Sequence, residues 1–575
     1  MTELAVWSPT ATSVEAIVRG RTVSLTRAER GWWRTDTTLE DGDDYTFSLD
    51  GGEARPDPRS PWQPEGVHGP SRHVDHTRFV WTDAHWRAPP HSSAVIYELH
   101  VGTFTPEGTF EAVIERLDHL VALGVTAIEL MPVNQFDGGR GWGYDGVDLY
   151  APHHAYGGPD NLKKLVDACH ASGLAVILDV VYNHLGPSGN YLGEFGPYFT
   201  DRYRTPWGDA VNFDDAGSTE VRNFFTDSAL MWLRDYHFDG LRVDAVHAMH
   251  DRSAVHFLEE LTTRVRAYES QAQRSFWVIA ESDLNDPRLV RSTEAGGWGM
   301  DAQWSDDFHH ALHALLTGEH NGYYSDFGAV EQLATALTNA YVYAGGYSAF
   351  RERKHGRPTS GPPGARFLGY LQNHDQVGNR AAGDRSSLLA SPELLKVGAA
   401  LVLTSPFVPM LFMGEEWGAS TPFLYFTDHG ADLGRAVSEG RRREFEAFGW
   451  HPEDVADPQD ERTFARSRLD WSEVQRGPHT ELLNWHRALI ALRASTPDLL
   501  DDDLGGVSVR YDEGGRWLVL ERGAITVACN LGPKPAEVLL PASHRASVLL
   551  TSAHEPGADA DAIRLPAESV TIYSA

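Results

Sequence analysis

From about Ala94 to about residue 500 the chain repeats one rhythm, an apolar run of strand length followed by a stretch with apolar residues at helical spacing. The strand-like runs are VIYELHV (95–101), VTAIELMPV (125–133), LAVILDVVYNH (174–184), residues 239–246, WVIAES (277–282), FLGYLQNHD (367–375) and VPMLFMG (408–414). Between them lie helical patterns at 110–124, 161–173, 219–236, 253–269 and 393–403. Strand–helix alternation implies a parallel sheet with helices packed outside it. At this length the simplest closed solution is a (β/α)8 barrel over residues 91–500, with its site at the C-terminal strand ends. The competing α/β fold is an open doubly wound sheet. It wants a glycine-rich turn after the first strand, and VGTFTPEG is a poor match. Residues 185–217, rich in Gly, Pro and aromatics, interrupt the alternation and are expected to form a small excursion domain after strand 3.

The flanks read differently. Residues 1–90 carry short alternating runs (LAVWSP, VEAIV, TVSLT, WWRTDTT, YTFSL) separated by turn residues, the pattern of a β-sandwich, which could be carbohydrate-binding or merely cover the barrel. Residues 501–575 return to short strands (VSVRYD, RWLVLERG, AITVACNL, AEVLLP, SVLLT, SVTIYS), a second β-sandwich. The Pro-rich stretch 56–72 has no periodicity and is expected to be a linker lying over a surface.

Charge narrows the partners. A formal net charge of -32 repels phosphates, which argues against nucleic acid as a partner and favours a neutral or cationic ligand, although a solvated acidic surface accounts for most of it. Two distant cysteines, Cys169 and Cys529, make no disulfide framework, and the expected compartment is the cytoplasm. No basic segment followed by an apolar core opens the chain, so no signal peptide is expected. The apolar run near 399–414 is broken by Pro406 and Pro409 and is too short to span a membrane.

Four polar clusters end apolar strands: Asp179-Val-Val-Tyr-Asn183-His184, Arg242-Val-Asp244-Ala-Val-His247, Glu281 after WVIA, and Asn373-His374-Asp375 after FLGYLQ. One such cluster is ordinary, but four on one barrel top suggest chemistry. Arg242 and Asp244 share parity on their strand, so the guanidinium would hold Asp244 ionised, as a nucleophile needs. Glu281 follows four apolar residues, and a poorly solvated carboxyl has a raised pKa, as a general acid needs. Two such carboxyls are the apparatus of glycoside hydrolysis. His184 and His374 would donate to sugar hydroxyls, and Asp375 would bind two of them on a distorted ring. Taken singly, each histidine reads more readily as a satisfied core residue.

These four clusters resemble the four signature regions of the α-amylase superfamily of retaining glycoside hydrolases and transglycosylases, and the resemblance covers almost the whole chain. It implies Asp244 as nucleophile, Glu281 as general acid/base and Asp375 as transition-state stabiliser, with Arg242, His184, His247 and His374 in support. Tyr144, in GWGYDGVDLYAPHHAYGG (141–158), matches the aromatic platform beneath the sugar at the cleaved bond, and Asp179 and Asn183 match bracing positions.

Within the superfamily, VIYELHVGTFTPEGTF (95–110), AIELMPVNQFDGGRGWGYDGV (127–147), YRTPWGDAVNFDDAGS (203–218), FMGEEWGASTPFLYFTDH (412–429) and WQPEGVHGPSR (62–72) resemble the maltooligosyltrehalose trehalohydrolase family. That resemblance implies hydrolysis of the α-1,4 bond next to a terminal trehalose, functional pairing with a maltooligosyltrehalose synthase, and a monomer without cofactor. Trp207 is the candidate for stacking on the trehalose side, the alternative being packing within the excursion. Glycogen branching enzymes share the GEEWG and YFTDH-like stretches and are the competing reading, since they pass the same intermediate to a sugar hydroxyl. Ser282 departs from many superfamily members after the catalytic glutamate. Carboxylates at metal-ligand spacing are lacking near the excursion, so no metal is expected.

Overall fold

The computed structural model describes residues 2–359, 361–447, 455–554, 557–558 and 561–575. Eight parallel strands close into a barrel. We label them β1 (Ile96–Leu99), β2 (Ala127–Leu130), β3 (Ala175–Val180), β4 (Gly240–Val243), β5 (Trp277–Ala280), β6 (Ala302–Trp304), β7 (Phe367–Tyr370) and β8 (Val408–Phe412). Each strand pairs with its neighbour in sequence, and β8 returns to β1.

Strand parity divides the core in two. Ile96, Ala127, Ile177, Ile279, Leu368 and Met410 fill the barrel interior, while Leu178, Leu241, Val243 and Val278 face outward and join the core shared with the helices. Both sets are buried, which is why the strands read as nearly continuous apolar runs. β4 begins at Gly240 because a Cβ there would lie 2.9 Å from the Trp277 carbonyl oxygen of β5.

Two expectations need correction. The helix expected over 110–124 is two helices, Phe110–Ile114 and Leu117–Leu123. Between them the chain tightens into a turn in which the Arg116 N–H returns to the Val113 carbonyl at 2.9 Å. The Pro-rich stretch lies over the barrel, Arg59 donating to the Tyr150 hydroxyl at 2.7 Å, but it is more than a linker. Ser60, Gln63, Val67 and Ser71 are buried, and Ser71–Arg72 adds an edge strand to the N-terminal sheet. Buried polar groups of the segment find partners within it and on the N-terminal sheet, although the Trp62 indole N–H has none among the described residues. Ser60 donates to Gln63 at 2.6 Å, the Gln63 amide donates to the Gly66 and Gly69 carbonyls at 3.1 Å each, and Tyr45 donates to Asp57 at 2.9 Å.

The N-terminal strands form a three-stranded and a four-stranded sheet enclosing Leu4, Val6, Val14, Ala16, Trp33 and Phe47. The excursion after β3 is a one-turn helix, Leu192–Phe195, and a hairpin, Phe199–Thr205 with Gly208–Val211. Trp7 of the N-terminal sheet meets Tyr198 edge-on at 5.3 Å and so ties the sandwich to the excursion. At the other end a three-stranded sheet packs on a five-stranded one, whose strands Ile525–Asn530 and Ser569–Ser574 pack on the helix Pro392–Thr404. Its last carbonyls have no partner within the helix, and Arg522 of the C-terminal sheet reaches the Thr404 and Ser405 oxygens at 2.9 and 2.8 Å. Among the described residues no helix is long and apolar enough to cross a membrane.

Candidate active site

The site grows from the inward residues at the barrel's top. Arg242 on β4 is in register with Asp179 on β3 and Ile279 on β5. Its guanidinium is buried 4.3 Å from the centre of the Trp304 ring of β6. Its Nη1 donates to both Asp179 oxygens, at 3.0 and 2.8 Å, and to Asp244 Oδ1 at 2.7 Å. Its Nη2 lies 3.9 Å from Glu281 Oε2. One guanidinium therefore bridges the two carboxyls at the tips of β4 and β5. Asp244 Oδ2 accepts from the Asn183 amide at 2.7 Å, and the same amide donates to the Asp244 backbone carbonyl at 3.0 Å.

The turn after Asp244 brings the second carboxyl in. Ala245 takes a left-handed conformation, φ 40° and ψ 49°, which a residue with a Cβ adopts only under constraint. Its N–H then donates to Glu281 Oε2 at 2.6 Å.

The two carboxyls are driven in opposite directions. Burial works to raise the Asp244 pKa, but Arg242, His184 and the Asn183 amide outweigh it and hold the group below the usual carboxylate range. Burial likewise raises Glu281; Arg242 opposes it only in part, and the charges of Asp244, Asp306 and Asp375 reinforce it, so the net result lies well above the usual range. Asp179 is pushed up to about 7, chiefly by burial.

A second chain of contacts crosses the barrel top from β1. Glu98 accepts from the His374 backbone N–H at 2.9 Å and from His374 Nδ1. His374 Nε2 donates to the Tyr144 hydroxyl at 2.7 Å, which in turn donates to Asp179 Oδ2 at 2.6 Å. Tyr144 also stacks on the His374 ring at 5.1 Å. Burial lowers the His374 pKa, but the Glu98 charge overrides it and sets the value at about 9, so the ring is an imidazolium. Asp375, the next residue, keeps a side chain 41% exposed, 3.6 Å from His374 Nε2. The motif residues other than His247 thus converge. His247 stands exposed on the turn Val246–Ala248 and joins none of the described hydrogen bonds of the cluster.

The His374–Glu98 pair sets a pH test. A histidine whose folded pKa lies above 6.5 contributes stability in full below that pH and loses it as pH rises through about 9. The contribution is on the order of 3 kcal/mol. In Glu98→Gln it is absent, so the parent's advantage in Tm is expected to be widest below pH 6.5 and to shrink by pH 9. Thermal unfolding across pH 5.5–10 reads it directly, and a gap independent of pH would rule out the charged pair.

Trp207, at the tip of the excursion hairpin, does not pack within the excursion. It is 49% exposed, and its ring stacks on His184 at 4.3 Å with the planes 4° apart. His184 in turn bonds the Asn183 side chain. The tip is therefore carried to the rim of the Asp244 site.

Two buried residues beside the site went unread in the sequence. Glu98 and Glu129 are paired in register on β1 and β2, both facing inward. Glu129 is raised far above the usual range by burial, with the Glu98 and Asp179 charges adding to it, and neither of its carboxyl oxygens has a hydrogen-bond partner among the described residues. The available signal was a lone glutamate inside each apolar run, VIYELHV and AIELMPV. Among the described residues no group of three or more His, Cys, Asp or Glu is disposed to hold a metal ion.

Comparison with known proteins places this arrangement. Residues 70–204 match the family model of the alpha amylase catalytic domain, and residues 502–572 match a domain of unknown function, DUF3459. Over 540 residues the chain is 52% identical to the malto-oligosyltrehalose trehalohydrolase of Arthrobacter ramosus, with 93% of each chain covered. The chain belongs to the malto-oligosyltrehalose trehalohydrolase family. A solved structure described as a putative alpha amylase from Salmonella typhimurium superposes with a TM-score of 0.91 at 38% identity, covering 100% of this chain and 97% of that one. Similarity to the 1,4-alpha-glucan branching enzyme of Leifsonia xyli is lower, 30% identity covering 60% of this chain and 48% of the other. The trehalohydrolase family thus accounts for both flanking β regions as well as the barrel.

Proposed function

We propose that this protein is a retaining glycoside hydrolase that cleaves the α-1,4-glucosidic bond next to the terminal trehalose of a maltooligosyltrehalose. The products are free trehalose and a maltooligosaccharide. The observation that carries the chemistry is the Asp244–Glu281 pair, bridged by Arg242, with the pKa of the first held down and that of the second pushed up. The choice of substrate rests on membership of the trehalohydrolase family.

In the first step an Asp244 oxygen attacks the anomeric carbon while Glu281 gives its proton to the departing glycosidic oxygen. Trehalose leaves, and the glycosyl group is held as an ester of Asp244. In the second, Glu281, now a carboxylate, takes a proton from water. The water oxygen attacks the same carbon and the ester breaks, with net retention. Two carboxyls spanned by one guanidinium suit the separation of about 5 Å used by retaining enzymes. Asp375, partly exposed, would accept from hydroxyls of the distorted sugar. Tyr144 would form the platform under it, braced by His374 and Asp179, while Asn183 orients Asp244. Trp207 and His184 would face the trehalose side. His247 would act from the rim. Cys169 and Cys529 are buried and unpaired, which fits a reducing cytoplasm. The trehalosyl end would be supplied by a maltooligosyltrehalose synthase, and the chain would act as a monomer.

The test is a product analysis on maltopentaosyltrehalose and, separately, on maltoheptaose of equal length. Release of trehalose from the first with near-silence on the second is expected. Equal cleavage of both would make the enzyme an amylase. Cleavage of neither, with α-1,6 branches appearing in amylose, would make it a branching enzyme.

A further inference from the structure

Between the N-terminal sandwich and the barrel helix Ser218–Asp235 runs a cleft of about 970 Å³. That is the size of a ligand site, on the order of 300–1,000 Å³. Its helical wall is Glu220, Asn223, Asp227, Leu230 and Arg234. These residues recur about once per turn and so form one stripe. At 1.5 Å per residue the stripe is about 21 Å long. The facing wall is the three-stranded sheet, where Ala5 and Trp32 line the cleft. Ala5 alternates with Leu4 and Val6, which are buried in the sandwich core. The Trp32 indole N–H donates across the cleft to Glu220 at 3.3 Å, which fixes the ring.

The lining chemistry selects the ligand. Carboxylates and arginines are present in near-equal number and largely pair with one another. Arg34 meets Glu3 at 3.0 Å, Arg30 meets Glu220 at 3.0 Å, and Arg59 meets Asp227 at 3.1 Å. So balanced a wall has little to offer a polyanion or a cation. It suits a neutral chain of hydroxyls, each able to donate to a carboxylate or accept from a guanidinium, with ring faces to lie on an indole. The length of the cleft suits a linear chain. None of Asp244, Glu281 and Asp375 lines it.

We propose that this cleft is a second carbohydrate-binding site, taking a linear α-glucan along the outer flank of the barrel. The polyhydroxyl chemistry follows from the cleft itself; the choice of α-glucan rests on the function proposed above. The site would hold long chains near the enzyme without touching the bond that is cut.

The test uses the full-length Asp244→Asn protein, which should not consume its ligand, in native gels with and without soluble amylose. Retardation by amylose is expected, and adding Trp32→Ala or Ala5→Arg should remove at least half of it. In proteins with Asp244 intact, the same two substitutions should leave kcat/KM on the short substrate maltosyltrehalose within two-fold of the parent. If Trp32→Ala lowers Tm, Ala5→Arg, at an outward strand position, decides alone. No retardation of the Asp244→Asn protein, or groove variants migrating as it does, would overturn the site. A parent that releases no trehalose, with groove variants still losing retardation, would sink the catalytic reading and leave the cleft a glycan site.

Discussion

Asp244→Asn is expected to lose hydrolysis of a maltooligosyltrehalose by about 10⁴-fold or more while still binding it. The side chain keeps its shape and its carbonyl oxygen, which still accepts from Arg242. It loses the electron pair that forms the glycosyl ester, and no neighbour replaces it. Asp179 also touches Arg242 but is pushed up to about 7 and is occupied by Tyr144. The new amide N–H₂ faces the Asn183 amide, which donates at 2.7 Å in the parent. One lost hydrogen bond of about 1 kcal/mol should therefore appear as a small fall in Tm. Steady-state kinetics and a melting curve measure both. Turnover at the parent rate would remove Asp244 from the nucleophile's role.

Glu281→Gln is expected to lower kcat by about 10²–10⁴-fold and to change the shape of the pH profile. In the parent, Glu281 must carry its proton to act as acid. Its pKa is raised well above the usual range, so activity falls as pH rises through that raised value. Asp244 must be ionised and is held below the usual range, so activity falls on the acid side only as pH drops through that lowered value. The parent profile is then a broad plateau. In the glutamine variant the alkaline limb should vanish and the acid limb remain. An alkaline limb that persists in the variant at the parent's position would assign it to another group.

The residues expected to do the chemistry were legible because each ends an apolar strand. A charged group there has nowhere to go but the barrel top, and parity alone put Arg242 and Asp244 on one face. The barrel was legible from alternation, with one strand missing. β6 is only Ala302–Trp304, too short for a periodic signal and centred on Gln303. Glu98 and Glu129 were passed over because an apolar run with one glutamate still reads as a buried strand, and the consequence of the charge depends on which neighbour it meets. The stretch 56–72 was misread for a different reason. Proline-rich composition predicts extended backbone, but whether such backbone is exposed depends on hydrogen bonds such as Ser60 to Gln63 that leave no periodic trace. The partner of Trp207 was likewise invisible, since it sits at residue 184 on another element.

The short sixth strand has a mechanical consequence. Only Ala302 and Gln303 pair with β5, and only Gln303 and Trp304 pair with β7, whereas β3, β4 and β5 are laddered along the full length of β4. The barrel is therefore a hoop with a thin link, and flexing or first opening should concentrate there. Glu281 stands on one side of the link and Asp375 on the other, while Asp244 stands on the stiff arc. The attacking group and its guanidinium are thus mounted rigidly, and the gap between proton donor and stabiliser is the dimension left able to breathe around a sugar ring as it flattens.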